Sequence, residues 1–218
     1  MAETVSPIHI ESLVVGPIES NCYIVHNDRR EALIVDPGDD ADRILSAIER
    51  IGVQVHAYLL THGHIDHVSA LAEVRERHPA PIGLHPEDAR WAFQPVNQLP
   101  PFYSAPRSPG SIERAWEDGA EWTDAEFPYR IMETPGHTPG GVSLYFFEHG
   151  VLFSGDTLFQ GSVGRTDLPG GDPAVLSGSL RKLAQLPNDT RVYPGHGPMT
   201  TIGFEKENNP FLRPGMLK

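Results

Sequence analysis

The chain lacks what several classes of protein need. It holds a single cysteine, Cys22, in 218 residues. No disulfide can close within it, and the reading is of a reducing compartment, the cytoplasm. No apolar run approaches the ~20 residues that span a bilayer, so no membrane association is expected. Met1 to Gly16 has no basic stretch followed by an apolar one, so no export signal is read there. Positive charge is scarce as well: 17 Lys and Arg face 29 Asp and Glu, a formal net charge of -12. A nucleic-acid partner needs clustered cations along its phosphates, so none is expected. Any attraction for an anionic substrate must come from metal ions or a local patch. The sequence also has no internal repeat, low-complexity segment or clear boundary. We therefore read residues 1–218 as a single domain; its oligomeric state is not legible.

Glycine and proline are abundant, with 21 of each, which predicts many turns and long loops. Strand-like runs open the chain at Ile8–Val15, Cys22–His26 and Ala32–Asp36, separated by turn residues, and predict an antiparallel meander. Ala41–Ile51 places Ile44, Leu45, Ile48 and Ile51 on one helical stripe. Val53–Leu60 reads as a buried strand, His67–His78 as a helix ended by Pro79 and Pro81, and Ile82–Leu84 as a short strand. From Pro86 to Asp118 periodicity dissolves among six prolines and several aromatics; a loop this long predicts a lid over a site. Strands follow at Tyr129–Glu133, Val142–Phe147, Val151–Phe153 and Arg191–Tyr193, with helices at Pro173–Leu186 and Ile202–Asn208. Strands and helices in both halves predict an α/β (α+β) protein: two sheets face to face with helices outside.

The strongest chemical signal is Thr61-His62-Gly63-His64-Ile65-Asp66-His67, directly after a hydrophobic strand. Alternation sends His62 and His64 to one side. Asp66 and His67 are adjacent at the start of the next helix and aim elsewhere. One metal could hardly collect all four groups, whereas two metals roughly 3.5–4 Å apart could. Further ligands are expected at other strand ends. Pro135-Gly136-His137, Gly155-Asp156 and Pro194-Gly195-His196 each follow an apolar run, with a glycine beside a His or Asp. Glycine lets the backbone turn sharply there. His9, His26, His56, His78, His85 and His149 have no such company and are given no role. No G-x-S-x-G elbow supplies a serine nucleophile, and Cys22 reads as core.

This constellation resembles the metallo-β-lactamase superfamily. Within it, Gly164-Arg165-Thr166-Asp167, Pro194-Gly195-His196-Gly197-Pro198 and Glu205–Leu212 are most similar to the short, glyoxalase II-like (hydroxyacylglutathione hydrolase-like) hydrolases. The resemblance spans nearly the whole chain and implies a four-layer αββα sandwich with metals at one edge. It implies His62, His64 and His137 on a first metal, Asp66, His67 and His196 on a second, and Asp156 between them. True lactamases do not use that bridging aspartate, which argues against antibiotic hydrolysis. Only ~20 residues follow His196, so the C-terminal extension with which full-length glyoxalase II binds glutathione is not represented.

A ligand set of imidazole and carboxylate suits two divalent ions per chain, zinc first and iron or manganese as alternatives. Water on such an ion loses its proton near neutral pH, giving a hydroxide nucleophile, while the metals stabilise the developing oxyanion. As a ligand, Asp66 is expected to orient that hydroxide. The resemblance implies a small-molecule thioester substrate such as S-lactoylglutathione. It also makes Arg165 a candidate for a substrate carboxylate, against a local ion pair with Asp167. Lys206 and Arg213 are lesser candidates. Tyr145 and the aromatics from Trp91 to Tyr103 read as core before pocket lining. The competing reading is a mononuclear iron persulfide dioxygenase of the same fold, holding its iron by His62, His137 and Asp156.

Overall fold

The structure, a computed structural model, describes residues 6–213. Residues 1–5 and 214–218, both ends of the expected 1–218 domain, lie outside the described residues. The first sheet runs in spatial order through β1 (His9–Val15), β2 (Ser20–His26), β3 (Glu31–Val35), β4 (Gln54–Leu59), β5 (Ile82–Leu84) and β6 (Arg114–Ala115). β1 to β3 pair antiparallel, as the meander predicts, and β3 to β6 pair parallel. In the second half come β7 (Glu121–Asp124), β8 (Phe127–Glu133), β9 (Val142–Phe146), β10 (Val151–Gly155), a separate hairpin of β11 (Leu158–Phe159) and β12 (Ser162–Val163), then β13 (Arg191–Pro194) and β14 (Thr200–Thr201). The second sheet is ordered β14-β13-β10-β9-β8-β7.

Alternation within single strands builds the layers. In β2 and β3, Cys22, Ile24, Ala32 and Ile34 face an outer core, where helices α1 (Ala41–Ile51) and α3 (Leu71–Arg77) pack. Their neighbours Tyr23, Val25, Leu33 and Val35 face the opposite way and meet Leu144, Phe146, Val151 and Phe153 of the second sheet. Leu152 and Tyr145 turn outward again, to helices α5 (Pro173–Leu183) and α6 (Ile202–Asn208). Strands covered on both faces read as continuous apolar runs. The result is the expected four-layer αββα sandwich. Trp116 fills the inter-sheet core completely buried, and its Nε1 donates to the Leu60 carbonyl at 3.0 Å. Its ring needs Gly83, because a Cβ there would lie 1.9 Å from the indole. No helix among the described residues is long and apolar enough to cross a membrane.

Three expectations need correction. The helix read over His67–His78 is two pieces, α2 (Ile65–Val68) and α3. Continuing it would pair the Ala70 amide with the Asp66 carbonyl. Instead Ser20 Oγ donates to that carbonyl at 2.7 Å, and Ala70 N–H donates to Pro37 O at 3.2 Å. Asp66 and His67 thus sit inside a short buried helix. Second, residues 86–118 are not wholly irregular: they begin with α4 (Pro86–Ala89) and end in β6 and buried Trp116. Third, β7, β14 and the β11–β12 hairpin went unread, being two to four residues long.

Candidate metal centre

Every loop that bears a candidate ligand leaves the same edge of the sandwich. His62 and His64 follow β4, Asp66 and His67 lie in α2, His137 follows β8, Asp156 follows β10, and His196 follows β13. These seven residues, from four separate stretches of sequence, converge. Ligand atoms of His62, His64 and His137 lie within 4.8 Å of one another, as do those of Asp66, His67 and His196. Asp156 stands between the groups: its oxygens are 3.4 Å from His137 Nε2, 3.5 Å from His67 Nε2 and 3.6 Å from His196 Nε2.

Second contacts fix how four of the rings point. On the Nδ1 side, His62 meets Thr61 Oγ1 at 3.1 Å, His67 meets Asp36 Oδ2 at 3.2 Å, His137 meets the Arg165 carbonyl at 2.7 Å, and His196 meets the Glu19 carbonyl at 3.2 Å. An anchored Nδ1 presents Nε2 for coordination. His64 differs, with Nδ1 2.8 Å from His137 Nε2. Glycines allow the approach. At Gly195 a Cβ would lie 2.0 Å from Asp156 Oδ1, and at Gly164 it would lie 1.8 Å from the Asp156 carbonyl.

Do these residues fit a metal? His62 Nε2, His67 Nε2 and Asp156 Oδ1 are buried with no hydrogen-bond partner. Such atoms are rare in folded proteins and ask for a partner such as an ion. The electrostatics agree. Burial lowers the pKa of His62 well below its ordinary value, with His67 adding to it, and takes His64 down to about 3, with His137 adding to it. These imidazoles are neutral, the form that binds metal. For His67 and His196 burial opposes charge, but the carboxylates of Asp66 and Asp156 outweigh it and raise both. Burial would raise Asp66, yet His67 and His196 hold it well below the carboxylate range. The carboxylates thus call for positive charge where the imidazoles converge. The residues fit bound metal cations.

Asp36 went unread. It is 2% exposed at a positive φ of 47°, and it accepts from Thr61 N at 2.8 Å and Thr61 Oγ1 at 2.6 Å. It groups with His62 and His67, but it faces Nδ1 of His67 and orients that ring. A signal existed: Val35-Asp36-Pro37-Gly38 is an apolar run ending in an aspartate near a glycine, the pattern used for Asp156. Arg165 is brought beside the centre through its carbonyl, while its exposed guanidinium makes a two-point pair with Asp167 at 2.7 Å and 2.7 Å. Lys206 donates to Asn188 at 2.9 Å, and Arg213 is exposed. Tyr145 and Tyr103 are buried; Trp91 packs 5.4 Å from His64, ring to ring. A cleft of about 330 Å³ lies beside Gly164–Thr166, lined also by Val163, Leu176, Leu180 and Phe211.

Residues 15–196 match the family model described as the Metallo-beta-lactamase superfamily. The chain is 36% identical to hydroxyacylglutathione hydrolase GloC of Haemophilus influenzae, across 94% of this chain and 98% of that one. It is 40% identical to the probable metallo-hydrolase YqgX of Bacillus subtilis, across 91% and 94%. Among solved structures it is similar to BLEG-1, described as a B3 metallo-beta-lactamase (40% identity, 94% and 100% coverage, TM-score 0.89), and to TTHA1623 in a di-iron-bound form (39%, 93% and 100%, 0.81).

Proposed function

Because the chain belongs to the metallo-beta-lactamase superfamily, we propose that this metallo-hydrolase uses two divalent metals to hydrolyse a small-molecule thioester, in the manner of the hydroxyacylglutathione hydrolases. The observation that carries this reading is the pair of three-residue groups, with Asp156 between them. His62, His64 and His137 would hold one ion and Asp66, His67 and His196 the other, with Asp156 shared. Zinc is our first choice, with iron or manganese as alternatives; TTHA1623 was solved with two irons. Bound there, the ions act as Lewis acids that polarise a carbonyl and lower the pKa of water. Asp66 is proposed to orient the attacking water, one proton of which goes to the departing sulfur and the other to solvent. Attack forms a C–O bond and breaks the C–S bond, leaving a carboxylate and a thiol.

Arg165 is proposed to meet a carboxylate of the substrate, which must then compete with Asp167. The adjacent cleft is large enough for the arm of a small ligand. Residues 86–118 are proposed to close one side of the site, as part of a single domain. The cytoplasm is the proposed compartment, on the strength of one buried thiol, Cys22.

The test is hydrolysis of S-D-lactoylglutathione by metal-loaded protein. Turnover supports the reading. Absence of turnover, with oxygen consumed on glutathione persulfide, would replace it by the dioxygenase. Likeness to a B3 metallo-beta-lactamase makes a cephalosporin the comparison substrate, and hydrolysis of it alone would also overturn the reading.

A further inference from the structure

Asp88 belongs to none of the groups above. It sits in α4 at the root of the 86–118 segment and is 0% exposed. Its carboxylate meets two ligand-bearing loops at once. Oδ2 accepts from the Gly63 amide at 2.9 Å and from Thr138 Oγ1 at 2.7 Å; Oδ1 accepts from the Gly140 amide at 2.7 Å. Gly63 lies between His62 and His64, and Thr138 directly follows His137. Space at this junction is fully used: a Cβ at Gly140 would lie 2.7 Å from Asp88 Oδ1. Asn97, nine residues on in the same segment, donates from Nδ2 to the Gly63 carbonyl at 2.8 Å and to Ala92 O at 2.6 Å. Trp91, between them, lies against His64.

We propose that Asp88 is a positioning residue of the metal centre, holding the His62–His64 loop and the His137 loop at a fixed separation and so setting the geometry of that three-histidine site. The stretch from Asp88 to Asn97 is then a fixed wall of the site and not its moving part. This rests on the metal-centre reading above. The carboxylate suits the task because it has two acceptor oxygens and no donor, and all three groups facing it can donate. An amide in its place must turn its NH2 towards one loop or the other. With the oxygen on Gly63 and Thr138, the Gly140 amide faces a donor. With it on Gly140, the Gly63 amide does.

The experiment is Co(II) titration of metal-free protein, followed by visible absorption, for wild type, Asp88→Asn, Asp88→Ala and Asp124→Asn. Asp124 pairs with Arg114 at the outer strand β7 and controls for loss of stability away from the centre. In Asp88→Asn one of the two Co(II) ions should bind about tenfold or more weakly, the size seen when outer partners of ligands are removed. Its absorption band should shift while that of the other ion holds. Asp124→Asn should lower Tm and leave both ions bound with wild-type spectra. Asp88→Ala serves if it folds, and should weaken the same ion further. Wild-type Co(II) affinities and spectra in Asp88→Asn would overturn the proposal, as would an equal loss of Co(II) in Asp124→Asn. Wild-type protein that binds no Co(II) would instead bring down the metal-centre reading itself.

Discussion

Replacing Asp36 by asparagine should weaken one metal site by about one to two orders of magnitude, through a tautomer. The Asp36 carboxylate accepts from Thr61 N with Oδ1 and from Thr61 Oγ1 with Oδ2; that second oxygen also faces His67 Nδ1 at 3.2 Å. When the ring is neutral, as a metal ligand must be, a carboxylate there keeps its one proton on Nδ1 and leaves Nε2 free, 3.3 Å from Asp66 Oδ2 and 3.5 Å from Asp156 Oδ1. Asparagine has two settings. With its oxygen kept on Thr61 N, its NH2 meets His67, whose Nδ1 must then accept. The proton moves to Nε2, which can no longer bind a metal. In the other setting two buried donors, the NH2 and Thr61 N–H, face each other, which costs about 1–3 kcal/mol. Either way the ligand group of Asp66, His67 and His196 suffers. Lost outer partners lower metal affinity ~10–100-fold, or ~1.4–2.8 kcal/mol. The assay is chelator-competition titration with Zn(II), which reads both sites. A variant with both affinities unchanged, or one weakened only at the His62, His64 and His137 group, would refute the reasoning.

Other expectations follow from different parts of the molecule. Trp116→Ala empties the centre of the inter-sheet core and should lower stability by about 3–5 kcal/mol in denaturant titrations; Gly83→Ala, which drives a methyl into the same ring, should also destabilise. Burial would raise Glu113, but Ser111, the Ile82 amide and Arg75 together hold it down to about 2, from an ordinary 4.5. A depressed carboxylate stabilises the fold above its unfolded pKa. That contribution should therefore be complete above about pH 4.5 and fade towards pH 2; Glu113→Gln should make Tm less sensitive to acid across that window. Asp167→Asn frees the Arg165 guanidinium, so KM for S-D-lactoylglutathione should fall while kcat holds. An unchanged KM there and in Arg165→Ala would remove Arg165 from the substrate.

How far the site could be read from sequence depended on what each residue touches. His62 to His67 are legible because four candidate ligands fall within six residues. His137, Asp156 and His196 are legible because the turn at a strand end leaves a glycine as its mark. The residues that hold those ligands are harder. Asp36 reaches Thr61 25 residues away, and Asp88 reaches Gly140 52 residues away. Asp88 leaves no local pattern beyond a single aspartate, and Asp36 leaves only the apolar run before it and the glycine after it. The continuous apolar runs of β2, β3, β9 and β10, buried on both faces, mark the central strands of both sheets. β6 has two residues and exists through pairing with β5, so periodicity could not reveal it. The break between α2 and α3 has the same origin: Ser20 and Pro37, distant in sequence, take the hydrogen bonds that one helix would have used.

The most direct test of the central claim is titration of metal-free protein with Zn(II), by calorimetry and elemental analysis, for wild type, His64→Ala and His196→Ala. Two equivalents per chain are expected for wild type. His64→Ala should lose or weaken one and His196→Ala the other, because the structure puts these imidazoles in separate groups. One equivalent or none in wild type, or loss of the same single ion in both variants, would contradict a binuclear centre.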